Sequence, residues 1–156
     1  MRIRILAIAG GLALSACSGQ PATSGAIYGS SSYTCCVEET GLLSWHAGQH
    51  LVLHWQPTPP VRTTDPHPHQ IVLSMSLTGP FPTIDALKQA TSQGVRPAGV
   101  TTINAALITV NDRDVVTPAS ELDLPSGLGH GWYNLATQAS SAGLSAGGGA
   151  IINVVR

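Results

Sequence analysis

Gly143-Leu144-Ser145-Ala146-Gly147 fits the Gly-x-Ser-x-Gly pattern of a hydrolase nucleophile elbow. Such a serine sits in a strand-turn-helix setting, and its acid and histidine partners come later in the chain. No Asp, Glu or His follows Gly147, so Ser145 lacks the groups that would activate it. The stretch reads instead as a flexible hairpin loop of small residues, Ser140 to Gly149. Asp65-Pro66-His67-Pro68-His69 offers different chemistry. In extended chain, histidines two residues apart stand about 6–7 Å apart at the backbone. His67 and His69 could then share Zn or Cu, with Asp65 or His130 as a third ligand. The competing reading is an exposed Pro-rich loop, Thr58 to His69. His46, His50 and His54 are four apart and would align on a helix. Gly48 and the alternation of Leu51, Leu53 and Trp55 predict a strand instead. A strand puts His50 and His54 about 13 Å apart, too far for one ion, and leaves both facing solvent.

Cys35-Cys36 is the other reactive pair. Neighbouring residues on a strand point to opposite faces, so a bond between them needs a distorted backbone. Three states stay open: a vicinal disulfide, two separate thiols, or a bond to another molecule. Thiols holding a soft metal are a special case of the second. The acidic neighbours Glu38-Glu39 and Asp112/Asp114 fall in turns or strand entries and read as solvated surface. Gly127-Leu128-Gly129-His130-Gly131 lacks the Lys-Ser/Thr of a phosphate loop. It reads as a turn into the next strand.

The front of the chain carries a different signal. Arg2 and Arg4 precede an apolar run, Ile5 to Leu14. As a helix that run would be about 15 Å long, against about 30 Å for the hydrocarbon core of a bilayer. It is too short to span and has the plan of a secretion signal. Ordinary cleavage after Ala16 would leave the bulky Leu14 at a position that wants a small residue. Leu14-Ser15-Ala16-Cys17 instead resembles the lipobox of bacterial lipoproteins. That resemblance covers the first 17 residues. It implies cleavage of residues 1–16, a diacylglycerol thioether on Cys17 and, in many species, a further acyl chain such as palmitate on its amine. One acyl chain binds a membrane only marginally, whereas two or three hold firmly. The localisation implied is extracytoplasmic, anchored by lipid to the cell membrane or the outer membrane.

Behind Cys17, five basic residues stand against eight acidic ones, a net charge of −3. There is no basic stripe for nucleic acid and no polybasic patch. Residues 17–32 are mostly Ser, Gly, Ala and Thr and are expected to form the lipidated N-terminus and a flexible tether with a span of about 20 Å. Residues 33–156 suit one domain of ordinary size. Few charges and many Gly, Pro, Ser and Thr residues predict short strands joined by turns.

Periodicity places those strands. His50 to Gln56 alternates, with Leu51, Leu53 and Trp55 on one face. Gln70 to Leu77 alternates in its second half. Gly99–Ile103, Ala105–Val110, Gly131–Gln138 and Ala150–Val155 complete the clear cases, with one uncertain strand inside Val115–Leu124. Thr83 to Ala90 is the one helical piece, capped by Thr83 and with Asp85 in its first turn. Six to eight strands at this spacing predict an all-β antiparallel sandwich. Two stretches resemble an immunoglobulin-like domain. Gly48 to Trp55 is similar to its second strand, with Trp55 where such domains often carry a cysteine. Gly131-Trp132-Tyr133-Asn134-Leu135 is similar to its tyrosine corner, with Leu135 in the second cysteine's place. The resemblance covers residues 38–155. It implies an immunoglobulin-like β-sandwich whose inter-sheet disulfide is replaced by an apolar pair.

The expected function is that of a lipid-anchored, non-enzymatic cell-envelope lipoprotein, a binding or assembly module with no cofactor. Its partners would be the membrane, through Cys17, and an envelope protein, but not nucleic acid. The alternative is an extracytoplasmic Cu- or Zn-binding lipoprotein using Cys35, Cys36, His67 and His69.

Overall fold

The computed structural model describes residues 27–36 and 44–155. Cys17, the leader, most of the expected tether, Glu38 and Glu39 lie outside the described residues. β1 (Tyr28–Ser30) and β2 (Tyr33–Cys35) precede β3 (Ser44–His46) and β4 (His50–Pro57). β5 (Val61–Thr63) and the long β6 (Gln70–Phe81) lead into the helix α1 (Ile84–Gln93). β7 (Thr101–Asn104), β8 (Ile108–Asn111) and β9 (Ala119–Asp123) come next. The hairpin β10 (Gly131–Ser141) and β11 (Leu144–Val155) ends the fold. No helix among the described residues is long and apolar enough to cross a membrane.

The protein is mostly β. The larger sheet runs β3-β11-β10-β6, with β7 and β8 sharing the free edge of β6 at Ser76–Gly79 and Gln70–Leu73. A three-stranded sheet runs β2-β4-β9. Strand alternation explains how they meet. Ile71, Leu73, Met75 and Leu77 of β6 face inward, as do Tyr133, Leu135 and Ala139 of β10 and Ile152 and Val154 of β11. Leu51, Leu53 and Trp55 of β4 do the same from the smaller sheet. All belong to one buried cluster drawn from both sheets. Burying each such side chain contributes about 1.5–3 kcal/mol. Trp55 carries a polar atom into this core, and its indole N–H donates to Ser120 Oγ on β9 at 2.9 Å. Tyr133 does likewise; its hydroxyl donates to the Gly129 carbonyl at 2.7 Å.

The helix is the one expected, ending three residues further on at Gln93. Thr83 Oγ1 accepts from the Ala86 N–H at 3.1 Å. Gly94, left-handed at φ 63°, closes the C-terminus. Leu87 and Ala90 pack with Phe81, Val100 and Trp132 in a small satellite core.

Four expectations need correction. Part of the expected tether is folded, because β1 pairs with β5 over Tyr28–Ser30 and Thr63–Val61. β5 in turn lies inside the expected Pro-rich loop; prolines flank it without falling inside the ladder. The expected hairpin loop from Ser140 to Gly149 is instead ladder. β10 and β11 pair continuously from Gly131↔Val154 to Ser141↔Leu144, and the chain reverses at Ala142 and Gly143 alone. Both have positive φ, 45° and 84°, as a tight hairpin turn of matching twist requires. Finally, the larger sheet is not wholly antiparallel, because β3 runs parallel to β11.

Candidate functional site: a groove beneath a cysteine pair

β2 brings Tyr33 inward and sets Cys35 opposite Trp55 of β4. Cys36 follows at φ 66°, a left-handed conformation that side chains with a Cβ rarely adopt. It turns the chain off the strand and stays buried. The sulfurs of Cys35 and Cys36 are bonded to each other. They form the roof of a groove of about 420 Å³. Its inner end is Trp55 and Leu135, both almost fully buried. Its far wall is β11 from Ala146 to Ala150, where Gly147, Gly148 and Gly149 offer bare backbone. A Cβ on Gly147 would come within 3.1 Å of the Thr137 carbonyl, and one on Gly149 within 3.3 Å of the Leu135 carbonyl.

Among the described residues, no charged or titratable side chain other than Tyr33 lines this groove beside the bonded cysteines. Burial and the nearby Asp114 carboxylate push the Tyr33 phenol up, partly offset by a backbone contact at Val116. Its hydroxyl donates to the Asp114 carbonyl at 2.8 Å. The described lining is therefore suited to holding an uncharged group by contact and backbone hydrogen bonds. A shallower depression of about 810 Å³ covers the outer face of the larger sheet, over Ser74, Ser76, Asn104, Gln138 and Ser145. It is neutral as well. Ser145 itself lies exposed on β11 opposite Ser140, in a strand and not at a strand-to-helix turn.

The histidine loop is organised around Asp112, at the turn after β8. Asp112, expected on the solvated surface, is instead 3% exposed, because its carboxylate accepts hydrogen bonds from the chain packed over it. Its carboxylate accepts from the His69 backbone N–H at 2.9 Å and from Ser30 Oγ at 2.8 Å. His69 Nδ1 lies 3.4 Å from Asp112 Oδ2, and Nε2 lies 3.3 Å from Asp65 Oδ2. Burial alone would raise the Asp112 carboxyl, but the hydrogen bonds from His69 and Ser30 outweigh it and hold the group below the usual carboxylate value. Asp65 also accepts from the His67 backbone N–H at 2.8 Å. Both ring nitrogens of His69 thus face carboxylates that bind this loop together. Among the described residues no group of three or more His, Cys, Asp or Glu side chains is placed to hold a metal ion. His67 and His130 are exposed.

His50 and His54 project from the outer face of β4, as alternation predicts. His50 Nδ1 lies 2.6 Å from Asp123 Oδ1 across the β4–β9 ladder. That hydrogen bond raises the imidazole pKa above its ordinary value, against a small opposing cost of burial. The groove was not legible in the sequence. Its signal was present in Cys35-Cys36 and Gly147-Gly148-Gly149, but nothing local says that these meet. No protein-family model matches the chain, and no curated protein and no solved structure matches it either.

Proposed function

We propose that this protein is a lipid-anchored, non-catalytic binding or assembly module of the bacterial cell envelope, built on an immunoglobulin-like sandwich. The observation that carries the anchor is Leu14-Ser15-Ala16-Cys17 directly after the short apolar run. A cysteine there becomes the mature N-terminus and takes the lipid. The domain argument rests on strand order. In an immunoglobulin-like domain the first, second and fifth strands share one sheet, and the third, sixth and seventh share the other. Here β2-β4-β9 and β11-β10-β6 are arranged in that way. The Tyr133 hydroxyl bond to Gly129 has the form of a tyrosine corner. Trp55 and Leu135 share one core, in place of the usual cystine.

Binding is assigned to the groove under Cys35-Cys36, because it is concave, neutral and opens beside bare glycine backbone. The anchor is tested by growing cells with labelled palmitate and comparing the parent with Cys17→Ala. The parent is expected to take up the label and the variant none. A parent without label, or a variant labelled as strongly as the parent, contradicts the proposal.

A further inference from the structure

We propose that one end of the domain rests on the bilayer that holds Cys17, and that Ile27, Val61, Val115, Leu144 and Arg62 form the resting surface. This depends on lipidation of Cys17 and adds an orientation to it.

Chain length sets the first constraint. Ten residue steps separate Cys17 from Ile27. Whatever their conformation, they reach at most about 35 Å. β6 alone, at 12 residues, is about 40 Å long. The attachment point therefore decides which end of the domain can approach the membrane.

That point is fixed. β1 pairs with β5. The Ser31 N–H donates to the Asp112 carbonyl at 2.7 Å, and Ser30 Oγ donates to the Asp112 carboxylate. The Arg113 guanidinium sits 4.5 Å from the centre of the Tyr28 ring. Asp112 in turn donates its N–H to the His69 carbonyl, just before β6 begins. The chain thus enters at the Gln70 end of β6. The hairpin turn lies at the same end, since Ser140 pairs with Val72.

Surface chemistry supplies the second constraint. Nine large hydrophobic residues are exposed among the described residues. Five of them lie at this end: Ile27, Val61, Val115, Val116 and Leu144. Val61 is 71% exposed, Val115 80% and Leu144 80%. Arg62 is exposed on the same ribbon, where it pairs with Gly29. The Asp112 carboxylate is turned inward on His69, whereas Asp65 is half-exposed beside the same ring and Asp114 is exposed next to Val115, so the contact rests on the aliphatic side chains and not on a net positive charge. Aliphatic side chains with an interspersed cation suit the interface of a bilayer. The acyl chains supply the affinity, and this surface supplies the orientation.

The test uses the full-length acylated protein in phosphatidylcholine vesicles. A photoreactive phenylalanine analogue replaces Val61, Val115 or Val95 in turn. Val95 is also exposed and apolar, but it lies beyond α1, at the opposite end of β6. Mass spectrometry reads the lipid adducts. Adducts at positions 61 and 115 at least tenfold above those at 95 are expected. Protein that floats with the vesicles but reacts equally at all three positions, or best at 95, overturns the orientation alone. Protein that stays soluble with a bare Cys17 thiol overturns the anchoring and the orientation together.

Discussion

Ser30 Oγ donates to Asp112 Oδ2 at 2.8 Å, joining residues 82 apart in the chain. The bond makes the first described strand part of the domain. It also sets Asp112, nearly buried, at the meeting point of β1, the histidine loop and the turn after β8.

Asp112 should therefore set the acid limit of the fold. Its folded pKa lies below the ordinary value. The stability it contributes is present above the ordinary carboxylate pKa and is lost as pH falls through the lowered one. Losing its charge-assisted hydrogen bonds costs about 1.5–3 kcal/mol. Asp112→Ala should show that loss at pH 7 in urea unfolding, and the gap to the parent should narrow below about pH 4. A gap unchanged down to pH 2 contradicts this role.

His50 should titrate with the opposite sign. Asp123 raises its folded pKa, so the pair's contribution is present below the ordinary histidine value. It fades as pH rises through the raised one. Proton NMR of the imidazole should give a midpoint above about 6.5, and Asp123→Asn should bring it down. An unchanged midpoint in that variant would mean the contact does not persist in solution.

The hairpin turn is improvable. Ala142 holds φ 45°, where a residue with a Cβ costs about 1–2 kcal/mol and Asn costs less. Asn-Gly is the favoured pair for such turns. Ala142→Asn should stabilise the fold by about 0.5–1 kcal/mol in thermal or urea melts. Destabilisation would show that the turn has another geometry.

That turn also shows where the sequence stops being legible. Strands β4 and β6 could be placed from alternation, because each buries one face and exposes the other. The helix could be placed from its cap. β11 from Leu144 to Gly149 buries no side chain; it is held by backbone pairing to β10, which leaves no period in the residue types. β1 and β5 were hidden for the same reason. They pair with each other, and Asp112, far away in the chain, ties β1 to the domain. The groove was illegible because it joins three local features of little meaning alone: two cysteines, a tryptophan and a run of glycines.

The account depends most on processing at Cys17, and intact mass spectrometry of the native protein measures it directly. The predicted mass is that of a chain beginning at residue 17 and carrying a diacylglycerol, with or without a further acyl chain. An intact Met1, or an unmodified thiol at residue 17, would contradict it.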